Sequence, residues 1–197
     1  WYDKRWMYEE SLRTPLILRW PAGVEAGQVS EARVQNLDMA ETFLDLAGVP
    51  VPESMDGWVI AGPKVRPRDA IFASRDLCDN VRDPMRCVRD RRFKYIRNYR
   101  PGTPYQVANY TVYAHPEYPE ARKLFEAGKL SPEQAAFFAN TKPGEELYDL
   151  VDDPWETRNL AGKPEHADTL ARLRKALDGW LQETGDRGLA AYGTSKR

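Results

Sequence analysis

Cysteine is almost absent from these 197 residues: Cys78 and Cys87 are the whole complement. Two thiols are too few for a disulfide framework, and their spacing is not that of a zinc site. They could pair across a hairpin or remain free. Histidine is as scarce, and neither His115 nor His166 sits in a ligand pattern. No apolar run approaches the roughly 20 residues that a membrane span requires. An excess of one charge sign is also missing, because 29 basic residues face 30 acidic ones. No global field therefore gathers nucleic acid or an anionic membrane around the chain, and neither is expected as a partner. Any preference for anions has to be local. The opening Trp1-Tyr2-Asp3-Lys4-Arg5-Trp6 holds neither an initiator Met nor the apolar core of a signal peptide. It reads as a chain that begins in the middle of something longer.

What is present describes a folded globular protein: 42% hydrophobic and 30% charged residues, with 6 Trp and 10 Tyr. Leu16-Ile17-Leu18, closed by Trp20-Pro21-Ala22-Gly23, predicts a short buried strand. Asp38 followed by Glu41 has the form of a capping box, with Phe43, Leu44 and Ala47 on one helical face and Gly48 as the stop. The Pro- and Gly-rich stretch from Val49 to Arg68 predicts a domain boundary, placed between residues 62 and 63.

Beyond it the pattern becomes that of an antiparallel meander. Ala70 to Ala73, Met85 to Arg89, Phe93 to Asn98 and Leu147 to Leu150 read as strands, with Asp90-Arg91-Arg92 as a polar turn. Ser131-Pro132-Glu133-Gln134 combines an N-cap, a proline at the first helical position and a glutamine at N3, so a short helix starts there. From Pro164 to about Thr184, Ala167, Leu170, Leu173, Leu177, Trp180 and Leu181 form a helical stripe expected to dock on the sheet, with Arg174 on the opposite side.

Three motifs, in order, carry a resemblance. Lys4-Arg5-Trp6-Met7-Tyr8-Glu9-Glu10-Ser11-Leu12-Arg13-Thr14-Pro15-Leu16 is similar to a stretch of sulfatases in the alkaline-phosphatase-like superfamily. Val34 to Asp38 running into Phe43 to Val49 resembles the family's segment between its last large-domain strands. Glu146 to Leu150 with Asp153-Pro154, Glu156 and Asn159-Leu160 resembles its C-terminal strand and turn. Met85 to Pro104 and the ending Trp180, Glu183, Thr184, Gly185, Asp186 are similar to heparan N-sulfatase and its bacterial relatives.

The resemblance implies an incomplete α/β alkaline-phosphatase-like fold: residues 1–62 as the end of the catalytic domain, and 63–197 as a C-terminal subdomain of antiparallel sheet with a packed helix. It implies hydrolysis of sulfate esters or N-sulfate on sugars or glycosaminoglycans, with attack by a formylglycine hydrate and a bound Ca2+ helping to hold the sulfate. Lys4 matches the family lysine that contacts the sulfate, and its compact charge suits a tetrahedral anion. Arg5 serves if the loop turns the other way, and Arg75-Asp76, at a strand end, are expected on the substrate wall.

Residues around Cys78 and Cys87 do not fit the formylglycine motif, and the family's calcium carboxylates lie upstream of Lys4. No metal ligand is therefore assigned in this chain, and the N-terminal catalytic portion is expected as its partner. The resemblance implies a periplasmic, lysosomal or secreted setting. The run Arg86, Arg89, Arg91, Arg92, Lys94, Arg97 and Arg100, interleaved with Phe93, Tyr95 and Tyr99, leaves three readings: a stripe for a sulfated glycan, an RNA surface, or a strand face whose arginines pair with nearby acids. The alternative to an enzyme is a non-enzymatic α+β module binding carbohydrate or polyanion.

Overall fold

The computed structural model describes residues 5–78, 81–105 and 115–187. It divides into two compact units, one formed by residues 1–13 with 72–197 and the other by residues 14–71. The division falls at 13/14 and 71/72 rather than at 62/63, and the reason lies in two sets of contacts. The Pro/Gly stretch is tied back to the helix Asp38–Leu46 inside its own unit, while the residues after Lys4 are built into the sheet of the other.

In the unit of residues 14–71, Asp38 is the organising group. Its carboxylate is fully buried, takes both Arg68 guanidinium nitrogens at 2.6 and 2.8 Å, and accepts the N–H groups of Gln35 and Trp58. The expected capping box is not formed, because the N-cap is Leu37 and Asp38 already lies within the helix. Glu41 reaches across to the Gly57 N–H at 2.5 Å instead of back to the cap. A Cβ at Gly57 would stand 2.2 Å from the Glu41 carboxyl carbon, so a larger residue there would displace that carboxylate. Gly48 ends the helix at φ 71, as its position predicts.

Two apolar expectations fail in this unit. Leu16-Ile17-Leu18 is neither a strand nor buried, with Ile17 92% exposed, and Phe43 is exposed as well. An isolated extended segment gains nothing by adopting strand geometry without an edge to pair with. The one sheet among the described residues lies in the other unit.

That sheet has the order β1-β2-β3-β4, with β1 at Ile71–Cys78, β2 at Val81–Arg89, β3 at Phe93–Asn98 and β4 at Glu145–Asp149. The β2–β3 and β3–β4 pairs are antiparallel, with Cys87 opposite Ile96 and Ile96 opposite Glu146. The turn from β2 to β3 is held by Asp90, whose carboxylate accepts the N–H groups of Arg92 and Phe93. Ser131 and Gln134 make both bonds of the expected capping box at the start of a short helix, Pro132–Ala136.

Strand alternation gives the sheet two covered faces. On one, Val88, Tyr95 and Leu147 align across three strands, all fully buried, under the C-terminal helix Ala167–Glu183. Leu170, Leu173 and Leu177 are the buried stripe of that helix, and Trp180 stacks on Phe72 of β1 with centroids 5.2 Å apart. Arg174 is not on the far side of the helix. It sits at the rim in a two-pronged pair with Glu145.

The other face carries Met85, Cys87, Ile96 and Tyr148, and is covered by Trp6, Met7 and Tyr8 together with Tyr105, Phe137 and Phe138. The motif at the head of the chain thus supplies three of the ten residues buried in this core among those described.

Leu173→Ala or Leu177→Ala should lower unfolding free energy by about 2–5 kcal/mol through lost transfer energy and an unfilled cavity. Lys175→Ala, exposed on the same helix, should stay within about 0.5 kcal/mol of the parent. Denaturant midpoints of the three variants check this, and equal values would mean the helix is not docked.

Candidate functional site

Lys4 lies outside the described residues. Arg5 is partly exposed, and the chain then turns inward with Trp6, Met7 and Tyr8 buried in succession. Each side chain after that is held by a different chemistry. Trp6 faces the Arg75 guanidinium at 4.2 Å and meets the Tyr105 ring edge-on at 5.0 Å. Tyr8 donates its hydroxyl to Glu146 Oε2 at 2.8 Å. Glu9 pairs with Lys94 and Arg89.

Glu146 is a buried carboxylate made tolerable by hydrogen bonds from several directions. Besides Tyr8, it accepts from Tyr148 Oη and Asn98 Nδ2, both at 2.5 Å, and from Tyr105 at 3.3 Å. Burial, with the Glu146 charge beside it, pushes the Tyr148 hydroxyl far above the ordinary tyrosine value, so it serves only as a donor.

Lys94 has no exposed side-chain surface, and its ammonium lies 2.8 Å from Glu9 and 2.9 Å from Glu156. The Glu9 N–H closes the ring by donating to Glu156 Oε2. Glu156 adopts φ 54, a left-handed conformation unusual for a residue with a side chain, and this turns its carboxylate into the cluster. Burial would raise the Glu9 carboxyl, but Lys94 and Arg89 outweigh it and hold it below the ordinary glutamate value. For Glu156 burial wins, and its carboxyl is pushed up.

Arg75 and Asp76 are neighbours on β1 with different surroundings. Arg75 is buried, with Nη1 3.9 Å from Asp83 Oδ2 beside the Trp6 ring. Asp83 is itself fully buried and takes both of its oxygens to Lys142 Nζ at 2.9 Å. Burial lowers the Lys142 pKa, with Asp83 opposing. Asp76 keeps about a third of its side-chain surface and pairs with Arg86 at 2.8 Å. Arg86 also grips Asp186 beyond the C-terminal helix and donates to the Arg75 carbonyl, so one guanidinium on β2 ties β1 to the residues after that helix. The structure brings Arg75 to Trp6, and it places Asp76 in the neighbouring ion cluster.

Five of the seven residues of the basic run pair with acids, while Arg91 is exposed and Arg100 donates to the Arg82 carbonyl at 3.4 Å. Arg86 meets Asp76 and Asp186, Arg89 meets Glu9, Arg92 meets Asp149 and Asp152, Lys94 meets Glu9 and Glu156, and Arg97 meets Asp178. Of the three readings of this run, the geometry favours the strand face paired with acids. Cys87 is a free, buried thiol whose pKa burial pushes up to about 11, so it is no thiolate nucleophile at neutral pH. Among the described residues no three His, Cys, Asp or Glu side chains converge to hold a metal, and no helix is long and apolar enough to cross a membrane.

Residues 1–131 match the family described as N-sulphoglucosamine sulphohydrolase, C-terminal. The chain belongs to that family. It is 40% identical over 185 residues to an ulvan-active sulfatase of Formosa agariphila, covering 93% of this chain and 31% of that protein. It is 29% identical over 205 residues to human N-sulphoglucosamine sulphohydrolase, covering 94% of this chain and 39% of that one. Its fold superposes on the structure of BT4656 in complex with its substrate D-glucosamine-2-N,6-O-disulfate with a TM-score of 0.66 and 27% identity, covering 95% of this chain and 32% of the other. The chain spans about a third of the length of these relatives. The sulfatase family points to metal use, although the described residues offer no ligand set.

Sequence reasoning did not find Glu146, Asp83, Lys142 or the Lys94 cluster as a connected support. Charged residues inside strand patterns, such as Lys94 in Phe-Lys-Tyr-Ile and Glu146 in Glu-Leu-Tyr, are the signal that points to buried pairs.

The Lys94 cluster predicts its own mutational signature. Lys94→Met leaves Glu156 buried without its cation and should cost about 3–5 kcal/mol, and adding Glu156→Gln should recover part of that loss. Urea titrations of both proteins check it, and a Lys94→Met protein as stable as the parent would contradict the cluster.

The carboxyls of Glu9, Asp90, Glu145 and Asp149 are all held below their ordinary values; for Glu145 and Asp149 the largest cause is the arginine partner, Arg174 or Arg92. Their contribution is fully present above the unfolded values near about 4 and is lost as pH falls through the lowered folded values. Glu156, raised, works in the opposite direction and softens the upper edge of that transition. Melting temperature should therefore drop between about pH 4 and pH 2, and a flat profile would refute the assignment.

Proposed function

We propose that this chain is the C-terminal part of a sulfatase that hydrolyses sulfate esters or N-sulfate on sugars, glycosaminoglycans among them, and that Lys4 contacts the sulfuryl group. The observation that carries the reading is the family match, which includes Lys4 and the segment seated on the sheet. In this reading a fixed ammonium neutralises charge on the sulfate as it is transferred, and does so best when it is held in place beforehand. Arg5 and the partly exposed Asp76 stand on the substrate wall, with Arg75 behind them. The sulfated glucosamine bound by BT4656 supports a sulfated sugar as substrate.

The nucleophile and the Ca2+ belong to an N-terminal catalytic portion, which this chain meets as its partner. Exposed Leu16-Ile17-Leu18 and Phe43 are the surface that portion covers, with the apolar run completing a strand of the catalytic sheet. The setting is periplasmic, lysosomal or secreted. A binding module is the weaker reading, because Arg86, Arg89, Arg92 and Arg97, most of the arginines that would hold a polyanion, are engaged with acids.

In the complete enzyme Lys4→Ala should lower kcat by an amount equivalent to about 2.7–4 kcal/mol with little change in melting temperature. Near-normal turnover would make Lys4 a surface residue. The chain by itself should not hydrolyse an aryl sulfate, and calcium-dependent turnover by the purified chain would defeat that expectation.

A further inference from the structure

The residues that follow Lys4 are held by a set of buried contacts centred on Trp6. Trp6 is buried, its ring between the Arg75 guanidinium at 4.2 Å and the Tyr105 ring at 5.0 Å. Its backbone N–H donates to Ser11 Oγ at 3.2 Å, which folds the segment back on itself. The two sides of the clamp are themselves fixed. Arg75 Nη1 lies 3.9 Å from Asp83, and its carbonyl accepts from Arg86. Tyr105 is tied through its hydroxyl to Tyr8 at 3.0 Å and to Glu146.

A lysine side chain is a flexible four-carbon stem ending in a point charge, so its aim depends on how firmly its backbone is rooted. Two peptide steps separate Lys4 from Trp6, which puts their Cα atoms within about 8 Å of each other. A displacement of about 1 Å in a group acting on the transition state can cost on the order of a hundredfold in rate.

We propose that Trp6, clamped between Arg75 and Tyr105, is the positioning residue for Lys4. The C-terminal sheet thereby aims a lysine used in the catalytic site. The proposal rests on the reading of Lys4 as the sulfate contact.

The test is a double-mutant cycle in the complete enzyme, comparing the parent, Lys4→Ala, Trp6→Leu and the double variant for kcat and KM on one sulfated sugar. Trp6→Leu should lower kcat about 10- to 100-fold with KM changed less than about threefold, yet cost under about twofold when added to Lys4→Ala. Trp6→Phe, which restores an aromatic face, should recover most of the loss. Circular dichroism identifies variants that fail to fold. Should Trp6→Leu be one of them, Arg75→Met attacks the same clamp from its other side, with the same loss and the same dependence on Lys4 expected. A Trp6→Leu enzyme with parental kcat, or one whose penalty is equal in both backgrounds, overturns the positioning role and leaves the reading of Lys4 intact. Near-normal turnover by Lys4→Ala overturns both.

Discussion

Lys94 enters the middle of a sheet with none of its side-chain surface in water, and the unit built on that sheet is arranged around making this tolerable. An ammonium taken out of water costs several kcal/mol unless it is paired, and each partner that neutralises it must be brought from elsewhere in the chain. Glu9 arrives from the N-terminal segment and Glu156 from the turn after β4, which adopts a left-handed backbone conformation to deliver it. The same logic repeats nearby. Glu146 draws in Tyr8, Tyr105, Tyr148 and Asn98, and Asp83 draws in Lys142 and Arg75. Three buried charges thus bind four distant stretches of sequence, around Tyr8, Tyr105, Lys142 and Glu156, to one sheet face.

The functional consequence follows from which stretch is bound. Residues 5–13 read, from the sequence, as the end of a catalytic domain, yet they belong to the C-terminal unit, and the side chains of Trp6, Met7 and Tyr8 are part of its core. The opposite face of the sheet, closed by Leu170, Leu173 and Leu177, has no such connection and serves to anchor the helix. One face is structural in the ordinary sense. The other holds the backbone next to the residue expected to meet the sulfate.

Much of the fold was legible because local signals sufficed. Alternating apolar residues gave the β3 strand its bounds, Asp90 gave the turn, Ser131 and Gln134 gave their capping box, and the leucine stripe gave the C-terminal helix. What failed depended on distant partners. Leu16-Ile17-Leu18 has the composition of a buried strand but no neighbouring edge, so composition alone could not bury it. Asp38 has the composition of a cap, but Arg68, 30 residues away, claims its carboxylate. The motif around Lys4 pointed to the segment whose Trp6, Met7 and Tyr8 the structure seats on the sheet. The support of that segment was not legible, because Glu146 and Lys94 look like surface charges until the residues that pair with them are folded alongside.

The central claim is that the sheet holds Lys4 where a sulfate is transferred. It is tested most directly by a crystal structure of the complete enzyme with a non-hydrolysable sulfated glucosamine. The Lys4 ammonium is expected about 2.7–2.9 Å from a sulfate oxygen, with Trp6 still against Arg75. A Lys4 side chain turned into solvent while the sulfate is held by other residues would contradict it.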